Sequence, residues 1–220
     1  MPRPKAALFD IDGTLIDSND AHASAWARTL AEFGYHVPFS RVRSLIGKGG
    51  DKLVAETVGF DKDTAANKAI GDRRRALFQK EYLPALEPLP GARDLVVALH
   101  DRDVRLVVAT SATEEESGAL LDVAGVREFM SAVKTSSDAS DSKPDPDIVL
   151  AALKAAHCAA SEAVMIGDTP YDVEAASRAR VACIAFRSGG WDDEALGGAV
   201  AIYDGAADLL RNIGRSLIAG

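Results

Sequence analysis

The sequence predicts an α/β fold: a doubly wound, Rossmann-like parallel sheet carrying an inserted all-helical cap. Three observations predict it. The run Ala6-Ala7-Leu8-Phe9 is apolar without alternation and stops at the carboxylates Asp10 and Asp12, as a strand covered on both faces of a parallel sheet requires. From residue 17 to about 83 the pattern is helical throughout. From Pro84 onward strand-like and helix-like segments alternate, the arrangement that builds a parallel sheet from βαβ units.

Each element follows from local signals. Gly13 suits a tight turn after the first strand, and Asp17, Ser18 and Asn19 can cap a helix in which Ala23, Trp26, Ala27 and Leu30 recur at helical spacing before Gly34 stops it. Residues 39–46 and 51–58 are shorter helices, the second ended by Gly59, and 62–83 is a long one with Gly71 as its weak point. Pro88, Pro90 and Gly91 mark a boundary, 92–100 is helical, and 104–109 is a β-branched strand. Glu114, Glu115 and Glu116 open a helix whose positive end favours acids. A strand over 129–134, a polar loop over 135–142, a helix over 145–156, a strand over 163–167, a helix over 170–178 and a strand over 181–186 follow. A sixth strand over 199–203 and a helix from Ala206 complete the pattern. The division is therefore a core of 1–16 and 84–220 with a cap of 17–83. Such a cap, hinged near 15–20 and 81–86, can close over the strand ends, exclude water and choose the substrate.

At 220 residues, 47% apolar and 26% charged, the chain has the composition of an ordinary globular protein with a sizeable core. A net charge of −8 argues against nucleic acid or an anionic membrane as partner. Cys158 and Cys183 have no partner at metal-ligand spacing and read as core residues in a reducing compartment. Neither a signal peptide nor a membrane span fits the sequence, so a cytoplasmic monomer or homodimer is expected.

In open parallel sheets the ligand crevice lies beyond the carboxyl ends of the strands, so Asp10 and Asp12 fall at its mouth. Two carboxylates so close repel, which favours proton sharing or a bound divalent cation. Other chemistry-bearing groups fall at later strand ends and helix starts: Thr110-Ser111, Lys143 before Pro144, and Asp168 with Asp172 four residues on. Each has a plainer reading. A Thr-Ser pair caps helices, a Lys-Pro is commonly surface, and Gly167-Asp168-Thr169-Pro170 is also a helix cap beside a first-turn acid. Four such coincidences in one order carry more weight than any one.

Asp10-Ile11-Asp12-Gly13-Thr14-Leu15, Thr110, Lys143 and Gly167-Asp168-Thr169-Pro170-Tyr171-Asp172 together resemble, in sequence and order, the signatures of the haloacid dehalogenase superfamily in its phosphatase version, over essentially the whole chain. The resemblance extends to the subfamily of phosphoglycolate phosphatases and β-phosphoglucomutases. It implies a magnesium-dependent phosphatase of a small phosphomonoester, phosphoglycolate-like or a sugar phosphate, working through an aspartyl-phosphate. Asp10 is then the nucleophile and Asp12 the general acid and base. Thr110, Ser111 and Lys143 face the phosphoryl oxygens, Ser111 replacing the Asn of many members. Asp10, Asp168 and the Asp12 backbone carbonyl hold Mg2+, with Asp172 behind them.

The cap signals are thinner. Gly47-Lys48-Gly49-Gly50-Asp51-Lys52-Leu53-Val54 resembles the cap loop of phosphoglycolate phosphatases, where Lys48 could reach a substrate carboxylate or second phosphate; it also reads as a flexible loop. His22 and Trp26 match positions after the first motif in relatives of β-phosphoglucomutase, and His22 is a candidate substrate contact. Arg73, Arg74 and Arg75 read as a solvated helix face, Asp138 as structural, and 187–191 as a turn or a crevice wall. A phosphosugar mutase with the same aspartyl-phosphate is the alternative reading. A receiver-like phosphoacceptor is disfavoured because its Asp follows the third strand, and a dehalogenase because it lacks the second Asp.

Overall fold

The structure, a computed structural model, describes residues 3–219. β1 (Ala6–Phe9), β2 (Arg105–Ala109), β3 (Ala132–Lys134), β4 (Ala163–Gly167), β5 (Ala182–Phe186) and β6 (Ala201–Tyr203) form one sheet in the order β3-β2-β1-β4-β5-β6. Every pairing is parallel. The order reverses between β1 and β4, and at such a switch point the connections leave in opposite directions and open a crevice at the strands' carboxyl ends.

The expected strand runs owe their apolar character to burial on both faces. Phe9, Val108, Ile166 and Ile184 point to one side, against α5 (Ala92–His100), α6 (Glu114–Ala124) and α9 (Ala206–Arg211). Leu8, Val107, Met165 and Cys183 point to the other, against α7 (Asp147–Ala156) and α8 (Pro170–Arg178). Each fully buried side chain of this size contributes about 1.5–3 kcal/mol. Both cysteines are free thiols, Cys183 buried and Cys158 half-buried. Among the described residues no helix is long and apolar enough to cross a membrane.

Between β1 and α5 all regular elements are helical: α1 (Asn19–Glu32), α2 (Phe39–Arg43), α3 (Gly50–Val58) and α4 (Ala65–Leu77). They close around an apolar cluster of their own that includes Trp26, Leu30, Leu45, Leu53 and Ile70. The expected long helix over 62–83 is shorter at both ends. It starts after Thr64, whose side chain accepts a hydrogen bond from the Asn67 backbone, and gives way to a π turn at Phe78–Tyr82. Gly71 passes without a break: a mid-helix glycine costs about 1 kcal/mol, which the packing of Ile70, Leu77 and Phe78 offsets. The strand expected over 129–134 is confined to β3, because Arg127–Phe129 turn as a 3-10 helix.

Candidate active site

Asp10 continues β1 by one residue, its backbone N–H bonding Ile166 O at 2.9 Å, so its side chain emerges at the switch point between β1 and β4. Lys143, 1% exposed, reaches the same place from the loop before α7 and donates to Asp10 Oδ1 at 2.5 Å and to Asp172 Oδ1 at 2.7 Å. Asp172 is both a site residue and a helix cap. Its Oδ2 accepts from the Thr169 hydroxyl at 2.6 Å and backbone N–H at 3.1 Å, closing a capping box at the start of α8. Gly167 to Asp172 is therefore a helix cap, and the carboxylate that the cap fixes is the one that bonds Lys143.

Asp168, at the end of β4, is fully buried and accepts from Asn19 Nδ2 at 2.8 Å and Thr14 Oγ1 at 3.2 Å. Gly13 has to be glycine here. Its φ is +74°, and a Cβ would lie 2.1 Å from Asp168 Oδ2.

Ligand oxygens of Asp10, Asp168 and Asp172 lie within 4.8 Å of one another. One ammonium faces three buried carboxylates, and the imbalance appears in their acidity. Burial raises Asp10 to about 7, with Lys143 opposing and Asp172 and Asp12 adding to it. Burial, then Asp172 and Asp10, push Asp168 well above the carboxylate range. Lys143 is held protonated: burial works against its charge, and Asp10 and Asp172 outweigh it. Excess buried negative charge with only oxygen donors fits a hard divalent cation.

Asp12 takes a different environment. Its Oδ1 accepts from Ser18 Oγ at 2.5 Å and meets His22 Nε2 at 2.6 Å. Burial pushes its pKa up, but His22, Ser18 and Arg74 outweigh it and hold the carboxyl at about 2. Arg74 meets His22 Nδ1 from the other side. A guanidinium can only donate, so Nδ1 accepts and Nε2 carries the hydrogen given to Asp12. Phe78 stacks on the imidazole at 4.1 Å between centroids.

Arg74 corrects the reading of 73–75 as a solvated face. Arg73 is exposed and Arg75 half-buried, and they pair with Glu32 and Asp72, whereas Arg74 is buried and donates from Nη1 to both carboxylate oxygens of Glu116 of α6 at 3.0 and 2.8 Å. Helical spacing held the signal, since Asn67, Ile70, Arg74 and Leu77 are the buried face of α4. Asn19, Thr14 and Glu116 also escaped the sequence reading as site residues; the first two were hidden as a cap and a turn.

Thr110 and Ser111 follow β2 and line the recess with Asp10, Asp12 and Lys143. Thr110 Oγ1 accepts from Ala112 N–H at 3.1 Å, while Ser111 Oγ is buried without a partner. Lys48 also lines the recess, but its ammonium is paired with Glu56 and lies over the Tyr171 ring. Lys52 turns away to Asp145 and Ser142 O. Ser188 Oγ donates to Gly13 O at 2.6 Å, so the segment 187–191 borders the turn after β1. Asp138 is structural, accepting from Lys134 and Thr135.

The family model described as haloacid dehalogenase-like hydrolase matches residues 7–186. A phosphoglycolate phosphatase from Rhodospirillum rubrum is 34% identical over 94% of this chain and 89% of its own length. A validoxylamine A 7'-phosphate phosphatase from Streptomyces hygroscopicus subsp. limoneus is 31% identical, over 82% and 84%. Among solved structures, a hydrolase from Pseudomonas syringae superposes with a TM-score of 0.89 at 26% identity, covering 96% of this chain and 98% of that one.

Proposed function

The chain belongs to the haloacid dehalogenase-like hydrolases and acts on phosphoric monoesters, and on that premise we propose a magnesium-dependent phosphatase of a small phosphorylated metabolite that turns over through an aspartyl-phosphate on Asp10. The observation that carries the reading is Lys143 bridging Asp10 and Asp172, with Asp168 close by, from three separate segments: the end of β1, the loop before α7 and the passage from β4 into α8. Residues 17–83 serve as the cap over this crevice.

Asp10 Oδ2, which has no hydrogen-bond partner among the described residues, attacks phosphorus while the bond to the leaving oxygen breaks in line. Asp12, ionised in the free enzyme, takes up a proton as the phosphate dianion binds beside it and gives that proton to the departing oxygen, while His22 Nε2 keeps its hydrogen and orients the carboxylate. Asp12 then takes one from the water that hydrolyses the acyl phosphate, which frees Asp10 and inorganic phosphate. Thr110, Ser111 and Lys143 hold the phosphoryl oxygens, and Lys143 balances the charge that develops there. Asp10, Asp168 and the Asp12 backbone carbonyl would hold Mg2+, with Asp172 orienting the group from behind; when bound the ion supplies electrostatic stabilisation of the phosphoryl group. The names of the relatives point to two kinds of substrate, phosphoglycolate and validoxylamine A 7'-phosphate. A cytoplasmic enzyme acting on a metabolite is part of this proposal.

The test is phosphate release from a panel of phosphomonoesters with and without magnesium, using Asp10→Asn as control. Magnesium-dependent turnover that Asp10→Asn abolishes at unchanged melting temperature is expected. Retained turnover in that variant overturns the nucleophile assignment, and dependence on a bisphosphate activator would turn the reading toward a mutase.

A further inference from the structure

Beside the catalytic recess, and sharing Trp26, Arg74, Thr110, Ser111 and Glu116 with it, lies a second cavity of about 670 Å³ between α4 and the loops after β2 and β3. This is the size of sites that enclose ligands of many heavy atoms. A two-carbon acid would leave most of it to water.

Its charge is already spent. Lys62 is paired with Asp141, Arg74 with Glu116 and Arg75 with Asp72, while in the recess Lys48 is paired with Glu56 and Lys143 with Asp10 and Asp172. Among the described residues that line the two cavities, only the exposed Lys68 has no acidic partner. Asp51 and Asp63 add negative charge to the same walls. A second anionic group on the substrate would therefore meet neutralised cations and uncompensated acids, and would be desolvated without gain. What the walls do offer are hydrogen bonds. Ser111 Oγ goes to the phosphate in the reading above, but Arg74 Nε is also buried without a protein partner and Ser136 and Ser140 line the same cavity; buried polar groups left unpaired favour a ligand that pairs them.

We propose that the group released with phosphate is an uncharged, polyhydroxylated molecule of monosaccharide size or larger, discriminated from small carboxylates by the Lys48–Glu56 pair and the balanced walls of this cavity. The inference rests on the phosphatase reading above. It gives Glu56, on the exposed side of α3 and 3.8 Å from Arg41 as well, a role in specificity through Lys48: with Glu56 present, the Lys48 ammonium, which could grip a carboxylate, is occupied.

The experiment measures kcat/KM with magnesium for p-nitrophenyl phosphate, phosphoglycolate, hexose phosphates and a disaccharide phosphate, in the wild type and in Glu56→Gln. Hexose or disaccharide phosphate should exceed phosphoglycolate by at least about tenfold in the wild type, the order of one charged hydrogen bond left unmade. Glu56→Gln should raise kcat/KM for phosphoglycolate several-fold, chiefly through KM, with sugar phosphate turnover unchanged. Turnover of p-nitrophenyl phosphate together with a preference for phosphoglycolate in the wild type overturns this inference while leaving the phosphatase reading standing. No response of phosphoglycolate turnover to Glu56→Gln overturns the role of the ion pair. No turnover of any ester overturns both readings.

Discussion

Replacing Lys143 by Met removes the ammonium from a cluster in which it alone offsets three buried carboxylates, while keeping most of the side-chain volume. The lysine makes contacts of 2.5 and 2.7 Å and is 1% exposed. Deleting one partner of a buried ion pair costs about 3–5 kcal/mol, because the other charge is left without compensation. That loss is expected at pH 8 in chelator, read from urea unfolding. It should then depend on pH in a definite direction. Asp10 is raised to about 7 from 3.8, so between those values the folded form binds more protons than the unfolded chain, and lowering the pH stabilises the fold. From pH 8 to 5 the wild-type Asp10 gains over about two of the three units. In the variant, lifted past the top of that range, it gains over all three. The difference of about one unit shrinks the penalty by about 1.4 kcal/mol through Asp10. A penalty that is the same at both pH values, or that grows on acidification, would refute the electrostatic account and leave only packing. Magnesium should recover part of the loss at pH 8 and little at pH 5.

Two further outcomes follow from the same geometry. In the wild type, thermal stabilisation by magnesium should be larger at pH 8 than at pH 5, reaching about 2.7 kcal/mol at a hundredfold excess over Kd, because protons on Asp10 and Asp168 compete with the ion; a larger shift at pH 5 would contradict this assignment of the metal carboxylates. Gly13→Ala places a Cβ 2.1 Å from Asp168 Oδ2 at a φ of +74°, and should lower both the melting temperature and the magnesium affinity in a calorimetric titration. Gly34→Ala, with a φ of +88° but nothing within 4 Å, should cost only the backbone strain of about 1–3 kcal/mol and leave magnesium binding unchanged.

Much of this protein is decided by its sequence alone. The apolar runs that became β1, β2, β4 and β5 are legible because both faces of those strands are buried. Asp10, Thr110, Lys143 and Asp168 are legible as well, because strand ends and helix starts leave local marks and the order of such marks along the chain is specific. The order suggests roles for these residues; the meeting of Asp10 with Lys143 and Asp168 had to come from the sheet.

Tertiary structure decided the partners. Arg74 in a triplet of arginines carries the same charge as its neighbours, and only its place between Trp26 and His22 of α1, Phe78 and Glu116 of α6 makes it the buried one. Lys48 belongs to a loop that suggests an anion grip, yet α3 returns Glu56 to it eight residues later and takes the charge away. Asn19 and Thr14, marked as cap and turn, hold Asp168 across 149 and 154 residues. The physical reason is one of range. Backbone preference and the choice of a buried face are set by neighbours a few residues apart, so they can be read along the chain. Which charge meets which, and how much net charge a cavity keeps, depends on elements brought together by folding, and an ammonium looks the same in the sequence whether or not a carboxylate awaits it.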